Sequence, residues 1–351
     1  MAILAAPELL AERGRHFGEA RIRAVHDVAS DVRMIEIEPS EGVRPYSTGS
    51  HLDIAVEVDE LPDVRSYSLV GDGPVDGAYR IGVKEIPDSR GGSVYVRALE
   101  PGTEVHVSEP KSHFELQWGR SEYLLVAGGI GITPIVGMSR ALARHGRPFR
   151  LLYAARAREQ MAFLDELSEL LGDRLEVFVS ADGNRLDLGR EIDRLHPDGE
   201  LYLCGPQRLR DAALREWRAR DRRPDRLQFE TFASGGQFAP EEFTARVGDQ
   251  DREVTVRANR TLLDALQDDG IDVMWDCLRG ECGLCAATVV ECEGQLDHRD
   301  VFLSDEEKEE GNAIITCVSR AVGGAVTIDT GFRPDPDLQG AAPVAEAAIR
   351  Q

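Results

Sequence analysis

Four cysteines stand where they could hold iron: Cys277, Cys282 and Cys285 in the spacing C-x4-C-x2-C, and Cys317 well beyond them. Thiolates ligate [2Fe–2S] clusters, and this spacing is one of their recurring signatures. A tight loop wraps three sulfurs around one edge of the cluster, and a distant segment brings the fourth. Gly280 and Gly283 let the loop backbone come close and aim its N–H groups at sulfur. Structural zinc is the competing use of clustered cysteines. Zinc modules pair two short Cys-x2-Cys knuckles, and one triplet with one remote cysteine is a poor match. Cys292 falls outside the pattern and reads as a packing cysteine.

Three further segments suit redox chemistry. In RSYSL, Arg65 can pair with a phosphate, Tyr67 can pack against a flavin ring and Ser68 can hydrogen-bond near N5, the atom that accepts hydride; a half-buried strand is the plainer reading. SRGGSVYVRALEPG, from Ser89, runs from a glycine pair into a short helix. Helix N–H groups with Arg90 and Ser93 would cradle a phosphate. GGIGITP, Gly128 to Pro134, follows a strand and opens a helix, so a pyrophosphate can approach its backbone. Pro134 holds the last place of the G-x-G-x-x-G pattern, and no carboxylate ends the next strand; Arg156 and Arg158 stand there instead. CGP, from Cys204, closes another strand, where Cys204 is either a nicotinamide contact or a small hydrophobe. FETF, Phe229 to Phe232, puts an aromatic ring near a domain junction or contributes a core pair.

The elements that must position these groups fall into three stretches. Residues 20–116 carry short β-branched runs separated by Gly, Pro and Asp, which predicts a β-barrel. Residues 117–231 alternate apolar strands with amphipathic helices, which predicts a parallel sheet covered on both faces. Residues 232–242 read as a linker, 243–332 as a third domain built around the cysteines, and 333–351 as a disordered Ala/Pro tail. Residues 1–19 form an N-terminal extension without the basic start and apolar core of a secretory signal. No apolar run is long enough to span a membrane.

The net charge of the 351-residue chain is −22. That argues against nucleic acid, whose phosphates need clustered Lys and Arg. The charge is uneven: residues 241–332 hold 21 Asp and Glu against 8 Lys and Arg. Such a surface can steer docking onto a basic patch of an electron acceptor, with SDEEKEE (Ser304 to Glu310) the natural candidate. Five of the six cysteines cluster in the last third, which in a cytoplasmic chain points to metal.

RSYSL, GGIGITP, CGP and the C-terminal cysteine set, in this order, resemble the phthalate dioxygenase reductase family, which includes vanillate O-demethylase reductases. SRGGS, FETF and LDHRDVFLSDEEK extend the resemblance over about residues 20 to 330. It implies a ferredoxin-reductase-like flavin β-barrel, a Rossmann-like parallel α/β nucleotide domain and a β-grasp plant-type ferredoxin domain. It implies FMN rather than FAD, NADH as donor, and a separate terminal oxygenase as acceptor. Carried over by motif, Arg65, Ser66, Tyr67, Ser68, Lys84, Arg90, Gly92 and Ser93 would hold FMN. Gly129, Thr133, Cys204, Gly205 and Pro206 would flank the nicotinamide, with Ser68 and Cys204 at the reacting atoms. Phe229 would cover the flavin, and Cys277, Cys282, Cys285 and Cys317 would ligate the cluster. A cytochrome P450 as acceptor, and a zinc-stabilised interaction protein without enzymatic activity, are the other readings. The position of Arg156 and Arg158 leaves NADPH open beside NADH. A monomer is expected, because the linked domains already carry the whole electron path.

Overall fold

The computed structural model describes residues 16–58, 61–85, 92–230, 232, 238–248 and 250–331. Arg90, residues 1–15 of the expected extension, residues 233–237 of the expected linker and the tail from 333 lie outside the described residues. The chain divides into two compact units between residues 232 and 233, so the first two expected domains lie in one unit.

Alternation decides the first sheet. Its strands are β1 (Gly18–Ala29), β2 (Val32–Pro39), β3 (Ser50–Val58), β4 (Leu61–Ser68), β5 (Tyr79–Lys84), β6 (Glu104–Val107) and the short β7 (Lys111–Ser112). The order is β4-β3-β6-β1-β2-β5, with β7 paired to β3. A bridge between Leu69 and Ile81 joins the two ends, which closes the sheet into a barrel. Every second residue turns inward, so Ile22, Ile35, Ile37, Leu52, Ile54 and Ile81 fill the interior. Gly18 and Glu19 pair with Val107 and His106 and so already belong to β1, inside the stretch expected to precede the barrel. Helix α1 (Gly92–Arg97) packs against β3, β4 and β5. Outside the barrel core, Glu36 is clamped by Arg23 and Arg80, each at 2.8 Å.

The second sheet is parallel. It comprises β8 (Tyr123–Gly128), β9 (Phe149–Ala155), β10 (Leu175–Val179), β11 (Glu200–Cys204) and β12 (Leu227–Glu230), in the order β10-β9-β8-β11-β12. Helices α2 (Ile132–Arg144), α3 (Leu164–Leu171), α4 (Leu188–Arg194) and α5 (Gln207–Ala219) connect them. β8 is buried throughout, as a strand covered on both faces must be. Its alternate residues feed two cores, Leu125 with Tyr153 and Tyr202 on one face, Leu124 and Val126 with Trp217 on the other. The strand order reverses between β8 and β11, which opens a crevice at their carboxyl ends.

Glycine fits this sheet to the barrel. A Cβ on Gly137 of α2 would stand 2.0 Å from the Gly71 carbonyl oxygen, and one on Gly82 of β5 would stand 2.7 Å from the Thr133 methyl. The turn between β1 and β2 also reaches the sheet: Ser30 N–H donates to the Glu159 carbonyl at 2.8 Å.

The second unit is a mixed sheet in the order β14-β13-β19-β15-β17. Its strands are β13 (Phe243–Val247), β14 (Arg252–Val256), β15 (Ala286–Cys292), β17 (Ala313–Ile315) and β19 (Ala325–Asp329); β16 (Gln295–Asp297) pairs separately with β18 (Arg320–Val322). β13 and β14 form an antiparallel hairpin, β13 runs parallel to β19, and α6 (Leu262–Asp268) packs against β14: a β-grasp arrangement. Thr261 caps α6 by accepting from Asp264 N–H. Ser304 and Glu307 form a capping box on α7 (Asp305–Glu310), which Gly311 ends in the left-handed region. The buried guanidinium of Arg320 donates to the carbonyls of Arg257 and Glu241, each at 2.9 Å, and to that of Arg260. It ties β18 to the chain entering the unit.

Candidate functional site

The glycine turn after β8 and the CGP turn after β11 meet. A Cβ on Gly131 would lie 2.2 Å from the Cys204 carbonyl oxygen, and one on Gly128 would lie 2.8 Å from the Pro206 ring. A Cβ on Gly205 would lie 3.1 Å from the Gly128 backbone, and Pro206 stands at the N-cap position of α5. Only glycine permits that contact. Gly129 differs: its φ is +56° and a Cβ there would meet nothing within 4 Å. Its backbone faces open space at a helix start, a cradle that fits a pyrophosphate. Thr133 is turned elsewhere. Its hydroxyl donates to the Ile130 carbonyl and its methyl packs on Gly82, so the side chain serves the seam with the barrel.

Cys204 is fully buried at the end of β11, beside Glu230 at the end of β12. Glu230 is also buried, and its Oε2 accepts the Ser68 hydroxyl at 3.1 Å. The flavin-type strand β4 and the nucleotide-type sheet are therefore joined at their functional ends by a hydrogen bond. Glu230 was not singled out in the sequence. Its one signal is a charged residue between two phenylalanines at a strand end. Phe229, expected over the flavin, belongs to the opposite face. Strand alternation sends it into the core of α5, where the Arg210 guanidinium stands 5.9 Å above its ring.

The other flavin candidates are dispersed along the barrel. Tyr67 packs on the barrel core, and burial holds its phenol well above the ordinary pKa, so it is a neutral ring. Ser66 donates to Asp53, and Arg65 donates to the Val64 carbonyl at 2.8 Å. Lys84 pairs with Asp31 at 3.2 Å, and Asp31 also accepts from Gln160. Gly92 opens α1, and the Ser93 hydroxyl is buried there with no protein partner among the described residues. An orphaned hydroxyl at a helix start is a fit for a phosphate oxygen.

The cysteines converge in pairs. Cys277 hydrogen-bonds with Cys282, and Cys285 with Cys317. No three candidate ligands close on a single ion position among the described residues. Two neighbouring pairs of thiols supply the four sulfur ligands that a [2Fe–2S] cluster takes. Leu278, Gly280 and Gly283 all have positive φ, the bulky Leu278 at +57°, which curls the loop around the sulfurs. Arg279 N–H points at Cys277 Sγ at 3.4 Å. Burial pushes the Cys277 thiol up against the pull of three backbone N–H groups. The bond from Cys317 pushes Cys285 down to about 7, while the same bond and burial raise Cys317.

A second segment clamps this loop. Val301 N–H donates to the Gly280 carbonyl at 3.0 Å, and a Cβ on Gly280 would strike the Asp300 backbone. The buried Asp300 carboxylate accepts from Ser319, two residues after Cys317, and from Leu303 N–H. Lys308 caps the Asp300 carbonyl at 2.8 Å. Asp300 was missed in the sequence because its partners are set by the fold. Cys292 packs half-buried on the core of the second unit.

Family models match the nucleotide and cysteine-bearing regions of the chain. The 2Fe-2S iron-sulfur cluster binding domain family matches residues 245–322, and the oxidoreductase NAD-binding domain family matches residues 125–215. Phthalate dioxygenase reductase of Burkholderia cepacia is 33% identical over 326 residues, covering 89% of this chain and 97% of its own length. A toluene-4-sulfonate monooxygenase system reductase subunit of Comamonas testosteroni is 34% identical, covering 88% and 97%. The solved structure of a phthalate dioxygenase reductase superposes with a TM-score of 0.77 at 31% identity, covering 91% of this chain and 99% of that one. CYP116B46 of Tepidiphilus thermophilus matches with a TM-score of 0.62 at 33% identity, over 89% of this chain and 42% of that longer one. With an iron–sulfur domain in place of the zinc reading, and relatives of this identity matched along nearly their full length, the chain belongs to the phthalate dioxygenase reductase family of oxidoreductases that serve oxygenases.

Proposed function

We propose that this protein oxidises NADH, holds FMN in its barrel, and passes electrons singly through a [2Fe–2S] cluster to a separate terminal oxygenase. Bound flavin supplies hydride acceptance and stepwise release of two electrons, and a bound cluster supplies one-electron transfer. Residues 20–116, 117–231 and 243–332 are the flavin, nucleotide and ferredoxin domains. The chain's task is placement. Gly129 admits the pyrophosphate, and Cys204, Gly205 and Pro206 wall the nicotinamide. Arg65, Ser66, Tyr67, Lys84, Arg90, Gly92 and Ser93 surround the flavin and its phosphate. Ser68 offers its hydroxyl to the flavin ring, and Glu230 fixes the orientation of that hydroxyl. Cys277, Cys282, Cys285 and Cys317 ligate the cluster.

The observation that carries this reading is the Ser68–Glu230 hydrogen bond. It brings the strand suited to flavin against the strand ends suited to nicotinamide, beside Cys204. Hydride transfer needs such apposition and no general base. The acceptor is a Rieske-type aromatic oxygenase or O-demethylase, docked on the acidic second unit as it works as a monomer in the cytoplasm. Helix α7, with Asp305, Glu306 and Glu307 in its first turn, and the exposed Phe302 before it offer a charged rim and an apolar contact. A cytochrome P450 is the second reading, favoured by the likeness to CYP116B46. No helix among the described residues is long and apolar enough to cross a membrane.

An anaerobic NADH titration of the purified protein tests the reading. Flavin and cluster absorbance should bleach together. Flavin bleaching without any cluster signal, even after iron and sulfide are supplied, would leave a plain flavin reductase. With the acceptor present, added salt should slow its reduction, and indifference to salt would dismiss electrostatic docking.

A further inference from the structure

One buried imidazole takes no part in the chemistry described so far. His298 directly follows β16, and its side chain is 9% exposed. Neither ring nitrogen has a hydrogen-bond partner among the described residues. Buried polar groups are nearly always satisfied, so such a ring calls for a reason. Its Nδ1 stands 3.6 Å from Asp300 Oδ1. That is too long for a good hydrogen bond from a neutral ring, and close enough for Coulomb attraction once the ring is charged.

The other charges around the ring are already engaged. Asp297, on its own segment, is held by Arg299 at 2.6 Å. From the cysteine loop, Arg279 and Glu281 hold each other at 3.1 Å. At the start of β18, Arg320 is turned to main-chain carbonyls. From α7, Glu307 accepts the Ser304 N–H, and Lys308 donates to the Asp300 carbonyl at 2.8 Å, standing 3.8 Å from the carboxylate. Burial pushes the Asp300 carboxyl up, but His298, the Leu303 N–H, Lys308 and Ser319 hold it below its ordinary pKa, as an anion.

Asp300 connects this ring to the cysteines. Its backbone lies against Gly280, in the middle of the Cys277–Cys282 loop, and the next N–H, of Val301, holds the Gly280 carbonyl. The carboxylate oxygen that faces His298 also accepts the hydroxyl of Ser319, two residues past Cys317, at 3.1 Å. One oxygen therefore meets the imidazole on one side and the segment of the fourth cysteine on the other. Imidazole is the side chain whose charge changes between about pH 5 and 8. In a buried, poorly screened setting a charge gained at one group is felt at the other, and the coupling is reciprocal.

We propose that His298 takes up one proton when the cluster takes up one electron, so that the His298–Asp300 pair ties the cluster's midpoint potential to pH. The inference rests on the reading of the four cysteines as cluster ligands. The electron comes from the reduced flavin and the proton from solvent, which reaches the exposed edge of the ring. An N–H bond forms on the imidazole and breaks again when the electron leaves for the acceptor. Potentiometric titration of the holoprotein, read from the cluster's EPR signal, tests this without turnover. Reduction should be about tenfold more favourable at about pH 5.5 than at about pH 8.5, which is about 59 mV for one electron. H298Q, which stays polar and cannot titrate, should keep the high-pH potential throughout. D300N, which removes the charge and keeps the shape, should raise the potential at the high-pH end. A flat profile in the unaltered protein, a slope that survives in H298Q, or an unchanged potential in D300N overturns the proposal. Absence of any cluster signal in the unaltered protein would instead overturn the functional reading, so the two failures are distinct.

Discussion

A hydroxyl and a carboxylate 162 positions apart, Ser68 and Glu230, meet in the buried centre of the first unit. Removing the hydroxyl tests what the pair is for. Ser68→Ala takes one donor from a buried carboxylate, a bond of about 1.5–3 kcal/mol. If the contact is made at the transition state, NADH should reduce the flavin about 10- to 100-fold more slowly, measured by stopped-flow bleaching. An unchanged rate with a lowered melting temperature would make the pair purely structural. This scale also marks the limit of what the chain discloses in one dimension. The cysteine set is legible because iron demands a fixed ligand type at fixed spacing. Ser68 is legible through its motif. Glu230 is not, because its role comes from the pairing of β11 with β12 and from the approach of the barrel. Phe229 was the more visible residue of that segment, yet its neighbour faces the flavin-type strand.

At the scale of elements, α2 does two jobs. Its first turn follows the glycine cradle, and Gly137, one turn on, lies against the Gly71 carbonyl. Alanine is ordinarily the better helix former by about 1 kcal/mol. Here that gain meets a 2.0 Å clash with backbone, which cannot swing aside as a side chain can. Overpacking of this kind costs about 1–3 kcal/mol, so Gly137→Ala should lower the melting temperature of the first unit, read by calorimetry. A rise would mean that the seam between barrel and sheet is loose. The strand and helix pattern of both sheets could be read from periodicity, as could the change of pattern near Glu122. The seam could not: glycines that serve close packing look like glycines that serve turns.

Over the whole molecule, stability should depend on acid in the same direction in both units. Burial pushes Glu36 up, but hydrogen bonds from Arg23 and Arg80 outweigh it and leave the carboxyl below its ordinary pKa. In the second unit burial likewise opposes His298, Leu303 N–H, Lys308 and Ser319 at Asp300, and again the net shift is downward. A carboxyl depressed by folding stabilises fully above its unfolded pKa of about 4 and loses that contribution as pH falls through the folded value. Glu36→Gln should therefore be less stable than the unaltered protein at pH 7, by about 1–3 kcal/mol for a charged hydrogen-bonded group. The gap should close as the pH is lowered toward about 2, followed by urea denaturation at each pH. A gap that stays constant would show that the carboxyl's charge is immaterial.

The division of the chain between residues 232 and 233 has an evolutionary consequence. All four candidate ligand cysteines, the loop that curls around them, the Asp300 clamp and the core beneath belong to the later segment. The glycine cradle, Cys204 and the Ser68–Glu230 pair belong to the earlier one. Each of these two sets of contacts is therefore whole within its own stretch of chain, so a recombination point at the division would carry each set across entire.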